Sequence, residues 1–260
     1  MNYKCVIVYK SGRDREAVEL YQQVRHRLHV VDVRELSCRP MSEECDFALV
    51  VGGDGTVLRA VKCVSVPIVG FKAGRIGFLT PYKIEEAERF LHDLESGRIV
   101  AESRWMLKVT ANGKEFEAVN DAIFRAKIKP MSEFKVSING CSDLVFFADG
   151  ILVSTPTGST AYNLSLGGAI VIPSCDVVQL MPVAPYYLQN RSIVVPGDRK
   201  IHIVSQLESE LIVDGVYAET GTEVLVEKSS RSFSLLRPVH YDFFSVLRSK
   251  VGYGKGVSEP

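Results

Sequence analysis

Short apolar runs alternate with amphipathic stretches over roughly the first hundred residues of this chain, and then the alternation stops. Cys5 to Tyr9 is a β-type run, followed by Arg13 to Leu28, where Ala17, Leu20, Tyr21, Val24 and Leu28 recur at the helical period. Val30 to Val33, Phe47 to Val51 and Pro67 to Phe71 supply further short strands, and Ile84 to Glu95 gives a second amphipathic helix through Ile84, Ala87, Leu91 and Leu94. Strands and helices in alternation predict an α/β domain with a parallel sheet, because parallel strands need long crossovers and helices supply them.

After Gly97 the helical period fades. Asn112-Gly113, Asn139-Gly140 and Asp214-Gly215 each sit between β-rich runs, the composition of tight hairpin turns. The expected strands are Trp105 to Thr110, Glu115 to Phe124, Phe134 to Ile138, Leu144 to Phe147, Val177 to Leu180, Ser192 to Val195, Lys200 to Val204, Leu211 to Val213 and Glu223 to Lys228. The pattern therefore predicts an α/β N-terminal domain over residues 1–97, completed by 241–260, and a second, mostly β domain over 98–240. A short helix at Phe243 to Leu247 packs back on the first domain, and Gly252 to Pro260 is a loose tail.

Composition narrows the class. The 260 residues are 46% hydrophobic and carry 31 basic and 31 acidic side chains, so a large core is available and no global field draws the chain to nucleic acid or to an anionic membrane. No apolar run reaches the roughly 20 residues of a membrane span, and the N-terminus lacks a signal-peptide core, which predicts a cytoplasmic location. The six cysteines show no C-x-x-C spacing, and Cys5, Cys63 and Cys141, in or beside apolar segments, read as buried reduced thiols. Cys38 and Cys45 lack a partner at metal-ligand spacing, and His26 and His29 read as one solvated helix face.

Two segments carry candidate chemistry. Gly52-Gly53-Asp54-Gly55-Thr56 lies between the strand ending at Val51 and the helix-compatible stretch Val57 to Lys62. Glycines let a backbone approach a ligand closely, and the free N–H groups of the next helix favour negative charge, so the loop is a phosphate cradle. It is neither a Walker loop, which needs Gly-Lys-Ser/Thr, nor a G-x-G-x-x-G fingerprint, whose third glycine is replaced by Leu58. A carboxylate inside such a cradle repels its ligand unless it takes a proton from an attacking hydroxyl or acts through a metal ion, so Asp54 points to phosphoryl transfer. The second segment, Asp149 to Asn163, holds five hydroxyl residues between Ser154 and Thr160 and a Pro-Thr-Gly turn, a surface suited to ribose or adenine. Ser159 or Thr160 also suits the N-cap of a helix from Ala161, and Asn120-Asp121 closes the strand Glu115 to Val119 or simply forms a turn.

GGDGT at 52–56, Asn120-Asp121 and DGILVSTPTGSTAYNLSLGG at 149–168 together resemble the NAD kinases, over nearly the whole chain to about Leu247. Diacylglycerol and sphingosine kinases carry similar glycine loops, whereas STPTGSTAY is much more specific. The resemblance implies transfer of the γ-phosphate of ATP, or of inorganic polyphosphate, to the 2′-hydroxyl of the adenosine ribose of NAD, giving NADP, with Mg²⁺ or another divalent ion held mainly by the donor phosphates and by no protein ligand set. It makes Asp54 the proton acceptor and Gly53, Gly55 and Thr56 the phosphate loop. Arg59, one turn into the helix, is a phosphate ligand or an exposed helix arginine, and Phe78, in Gly74-Arg75-Ile76-Gly77-Phe78, contacts adenine or fills the core. Asn120 and Asp121 would hold ribose hydroxyls or the nicotinamide half. Asp149, Thr157, Thr160, Ala161, Tyr162, Asn163, Leu164 and Ser165 would line the dinucleotide site, with Ala184 near the carboxamide.

Two positions depart from the family pattern: Phe147 stands where many members carry Arg, and Val216 follows Asp214-Gly215 where the family has Gln. The resemblance also implies a homodimer or homotetramer assembled through the β domain. The rival readings are a lipid kinase, for which no basic amphipathic helix is evident, and a regulator that binds NADP without turnover, for which Asp54 has no use.

Overall fold

The computed structural model describes residues 3–37, 44–128, 131–141 and 143–254. The chain forms two compact units, residues 1–103 with 233–260 and residues 104–232.

In the first unit, β1 (Lys4–Tyr9), β2 (His29–Glu35), β3 (Phe47–Val51) and β4 (Ile68–Lys72) form a parallel sheet in the order β2-β1-β3-β4. The short β5 (Tyr82–Lys83) extends it beside β4, where Leu235 also pairs with Ile68. All five residues of β3 are buried, the continuous apolar run expected of a strand covered on both faces. Two helices cover one face. α1 (Asp14–Val24) sets Ala17, Leu20 and Val24 into the same core as Phe90 and Leu91 of α3 (Ala87–Glu95). Phe90 packs edge-on to Phe47, Phe71 and Tyr82, which locks α3 over the sheet. The α/β expectation and its strands hold, but α1 stops at Val24 and His29 opens β2, so His26 and His29 do not share a helix face.

β6 (Ile99–Ala111) leads into the second unit, which is mostly β as expected. The single strand expected from Glu115 to Phe124 is two, β7 (Lys114–Ala118) and β8 (Asp121–Ala126), because the chain turns at Val119-Asn120. Antiparallel neighbours follow on each side of β8. On one lie β11 (Gly150–Ser154), β12 (Val177–Val183) and β13 (Ile193–Pro196). On the other lies β14 (Ile201–Val213), which pairs with β8 over Ser209–Val213 and with β9 (Ser132–Ile138) over Ile201–Ser205. β10 (Leu144–Ala148) pairs with β9, and β15 (Val216–Pro238) with β14.

The three Asn/Asp-Gly pairs form the expected turns: Asn112, Asn139 and Asp214 take φ of 49°, 52° and 48°, each followed by a left-handed glycine. Lys200 to Val204 and Leu211 to Val213, expected as separate strands, are the two ends of β14, joined through the irregularity that lets it change partner. The core gathers Phe124, Phe134, Ile151, Leu180, Ile203 and Leu211.

Burial pushes the Cys5 thiol up to about 12, helped by Cys45 and Asp46, so it stays protonated and inert. Cys63 is half-buried and Cys141 is exposed beside its hairpin turn, against the expectation of buried thiols. Cys38 and the tail beyond Gly254 lie outside the described residues.

Candidate active site

In the first unit, β3 ends at Val51 and the chain turns through Gly52-Gly53 into α2 (Asp54–Cys63). The Gly52 amide donates to Phe71 O (2.9 Å), and a Cβ on Gly52 would lie 2.3 Å from the Thr56 hydroxyl, so only glycine lets α2 begin this close to the strand. Gly53, Gly55, Thr56 and Arg59 line a cavity of about 460 Å³ at the carboxyl ends of the parallel strands, the usual ligand position in such sheets. Lys10, Arg13 and Lys72 add positive charge to the same cavity, Arg13 being paired with Glu16.

Asp54 opens α2, where the helix N-terminus favours its charge. Its carboxylate is held by four donors. Oδ1 accepts from Leu79 N (3.1 Å) and Thr80 Oγ1 (3.2 Å), and Oδ2 from Phe78 N (3.1 Å) and the Lys250 ammonium. Thr80 Oγ1 in turn accepts from Gly77 N (2.9 Å), which fixes the direction of the hydroxyl proton toward Asp54. Burial works against ionisation here, but the Lys250 hydrogen bond and charge, with the Leu79 and Phe78 amides, outweigh it and hold Asp54 below the usual carboxylate range. A Cβ on Gly77 would come within 2.0 Å of Asp54 Oδ1, so a bare backbone is required there.

Phe78 is buried, its ring 5.5 Å from that of Phe243 and 4.8 Å from the Lys250 ammonium, and its carbonyl accepts from Arg237 and from Tyr241 (3.2 Å). What Phe78 brings to Asp54 is its amide. Sequence reasoning missed Gly77, Thr80 and Lys250. Gly77 lies within the Gly74 to Phe78 segment already singled out and Thr80 two residues past its end, whereas Lys250 reads locally only as a basic residue in a helix's last turn.

The second unit gathers the other predicted residues at two ends of β11. At one end, Asp121 opposes Ser154, and the Asp214 carboxylate accepts from the amides of Val119 (3.0 Å), Asn120 (2.7 Å) and Asp121 (3.3 Å). The Ser-Thr-Pro-Thr-Gly turn packs on this corner. Thr155 donates to Val119 O (2.7 Å), Thr157 Oγ1 accepts from buried Arg104 (3.0 Å), and a Cβ on Gly158 would meet Asn120 O at 2.2 Å. Burial, reinforced by the Asp214 charge, pushes Asp121 up to about 7. At the other end, Asp149 accepts from Met131 N (3.0 Å) and donates its amide to Val183 O (2.9 Å), beside Ala184, an exposed non-glycine residue at φ 45°. Five residues of strand separate the two ends, about 16 Å.

Ser154 and Thr155 serve this corner, and neither Ser159 nor Thr160 caps the helix that follows. Ser159 donates to Val171 O (3.1 Å) and accepts from Val171 N (3.0 Å), and α4 (Tyr162–Ser165) starts after Ala161 with no side-chain cap. Asn163 is fully buried, its amide directed at Ala169 O (3.3 Å) and Gln179 Oε1 (3.4 Å), so it braces the turn from within. Thr160, Ala161 and Leu164 are half-buried, Tyr162 and Ser165 exposed. Phe147 is exposed, its ring 6.5 Å from that of Tyr187, and Val216 is exposed after the Asp214-Gly215 turn. Among the described residues no group of three or more His, Cys, Asp or Glu side chains is placed to hold a metal ion.

Two family models match the chain, the ATP-NAD kinase N-terminal domain over residues 6–99 and the ATP-NAD kinase C-terminal domain over residues 120–238. The NAD kinase of Thermotoga neapolitana is 39% identical over 98% of this chain and 99% of its own length. That of Aeromonas salmonicida is 35% identical over 89% of this chain and 85% of its own. Among solved structures, an NAD kinase from Archaeoglobus fulgidus in complex with ATP is similar with a TM-score of 0.78 and 26% identity, covering 95% of this chain and 99% of that one. Yeast NADH kinase complexed with NADH shares the fold, with a TM-score of 0.84 at 21% identity, covering 98% of this chain and 89% of that one. A glycine loop built around a clamped carboxylate and a hydroxyl-rich turn braced on Asn120-Asp121 thus occur in a chain that matches both domains of one family, and it belongs to the NAD kinases.

Proposed function

We propose that this chain phosphorylates NAD to NADP at the expense of ATP, with Asp54 accepting the proton of the 2′-hydroxyl on the adenosine ribose. The observation that carries the reading is the placement of Asp54, a low-titrating carboxylate oriented by two amides and a hydroxyl at the mouth of a glycine cradle. In the step, the 2′-oxygen forms a bond to the γ-phosphorus and the bond from that phosphorus to the β,γ-bridging oxygen breaks. The hydroxyl proton passes to Asp54, and ADP leaves with the electron pair. Since the transition state is loose, positioning and charge neutralisation supply most of the acceleration, and general-base help contributes a factor of about 10² to 10⁴.

Gly53, Gly55, Thr56 and Arg59 bind phosphate in this account, and the cations of their cavity support that assignment. Asn120, Asp121 and Thr157 bind one part of the dinucleotide, and Asp149 and Ala184 another; Ala184 has the strained backbone typical of ligand contacts. Tyr162 stacks on a base, consistent with its exposure, while Asn163 acts by bracing the turn. Thr160, Ala161, Leu164 and Ser165 complete that wall, and Phe78 positions Asp54 through its amide. A divalent ion such as Mg²⁺ would be held by the donor phosphates and would supply charge neutralisation there, with Glu16 the carboxylate in the lining of the cradle. The ATP complex of the Archaeoglobus relative supports ATP as donor. Exposed Tyr186, Tyr187 and Leu188 on the second unit support self-association as a homodimer or homotetramer, which light scattering would detect.

The test is NADP formation from NAD and Mg-ATP, followed with an NADP-specific dehydrogenase. Turnover with ATP supports the assignment, and bound NAD without turnover refutes it.

A further inference from the structure

An ionised carboxylate offers about four lone-pair sites, and Asp54 has all four filled: two at Oδ1, by Leu79 and Thr80, and two at Oδ2, by Phe78 and Lys250. A base in that condition has no site left for the proton it must take. One donor has to leave. The two amides belong to a backbone segment pinned through Phe78 O by Arg237 and Tyr241, and Thr80 is fully buried and tied to Gly77. Lys250 is the exception, a long side chain 37% exposed in the last turn of α5 (Phe243–Val251).

Lys250 also lines a second cavity of about 790 Å³, with Arg75, Lys83 and Arg248. That lining holds four cations and no carboxylate, and among the described residues none of Arg75, Lys83 and Arg248 has an ion-pair partner. The glycine cradle is a separate cavity, and Asp54 stands between the two: Gly53 and Gly55 on either side of it line the cradle, and its partner Lys250 lines the other. A reaction between a dinucleotide and a polyphosphate needs two anion sites flanking the base.

We propose that the Arg75, Lys83, Arg248 and Lys250 cavity binds the polyphosphate tail of the phosphoryl donor, and that Lys250 leaves Asp54 for that tail when the donor enters. The inference rests on the NAD kinase reading. Donor binding thereby frees the fourth acceptor site of Asp54 only when a phosphate is in place to be transferred. Facing Asp54 are Lys250 from α5 and the Phe78, Leu79 and Thr80 donors, with Lys72 on the cradle side near Gly53.

The experiment is steady-state kinetics of Lys250→Met, Lys250→Arg and Arg248→Gln, beside calorimetric titration of each with Mg-ATP and with inorganic tripolyphosphate. A charge-assisted contact is worth about ten- to a hundredfold in affinity, so Lys250→Met raises KM for ATP by that factor and leaves KM for NAD within about twofold. Its acid limb of kcat/KM for ATP moves to higher pH, because free Asp54 has lost the cation that favours its ionised form. The limb of kcat stays, because Lys250 has already left Asp54 in the donor complex; a lysine that remained on Asp54 throughout would move both limbs. Lys250→Arg restores most of the ATP KM and of the kcat/KM limb. Weakened tripolyphosphate binding identifies the phosphate chain as what the cavity reads, and weakened ATP binding with tripolyphosphate binding unchanged contradicts the proposal. Wild-type ATP KM in a folded Lys250→Met, or a kcat limb that moves together with that of kcat/KM, would overturn the proposal, as would unchanged ATP and tripolyphosphate binding by Arg248→Gln should the first variant not fold. A wild-type chain that makes no NADP would instead sink the functional reading itself.

Discussion

Asp121 and Asp54 are carboxylates displaced in opposite directions by their surroundings, and each displacement has a consequence. Asp121 is buried beside the Asp214 charge and titrates at about 7 when folded, against about 3.9 in an unfolded chain. Between those values the folded state holds a proton that the unfolded state has released, so the Asp121 contribution makes stability fall as pH rises from about 4 to 7. Asp121→Asn is expected to flatten that slope and raise the melting temperature at pH 8, read by thermal unfolding across pH. Asp54 lies on the other side of its ordinary value, so its ionised form is favoured by folding; that contribution is present above the unfolded pKa and lost as pH falls through the lower folded one. Gly77 supplies a further test. Gly77→Ala puts a methyl where Asp54 Oδ1 stands, and overpacking of this kind costs about 1 to 3 kcal/mol. The expected outcome is a folded protein whose kcat falls steeply, seen by comparing circular dichroism with turnover.

At the scale of elements, α5 has an importance its sequence understates. Asp242 caps it by accepting from Phe244 N (2.9 Å), Val246 and Leu247 are buried, and Phe243 packs on Phe78, so the helix anchors the segment that orients Asp54. Leu247→Ala is expected to cost about 2 to 5 kcal/mol and Asp242→Ala about 1 kcal/mol, measured by denaturant unfolding. The short helix was legible from Phe243 to Leu247, but its last turn was not, and neither was the partner of Lys250, since nothing near position 250 encodes a carboxylate 196 residues earlier. β3 and α1 were legible because a strand buried on both faces and a one-sided helix have distinct periods. β11 went unread as a strand because its short apolar run passes directly into the hydroxyl turn, which masked its end. β14 read as two strands because it changes partner near Ser205 through a polar stretch.

For the whole molecule, the environment of Asp54 is assembled from both ends of the chain: residues 54 and 77–80 from the first hundred, and Arg237, Tyr241 and Lys250 from the last thirty. The glycine loop, the hydroxyl turn and the order between them were legible as motifs, but the clamp on Asp54 was not, because it exists only once the termini meet within the first unit. With basic and acidic residues balanced at 31 each, attraction for polyanions must come from local clusters such as the two cationic cavities, so ATP binding is expected to weaken with salt far more in KM than in kcat. The role proposed for Asp54 is chemical rather than that of a binding group. The direct measurement is Asp54→Asn in parallel with wild type, NADP formation in one cell and NAD affinity by calorimetry in another. A loss of about 10² to 10⁴ in kcat with NAD affinity retained is the predicted result, and a variant that turns over normally, or that loses binding and turnover to the same degree, would contradict it.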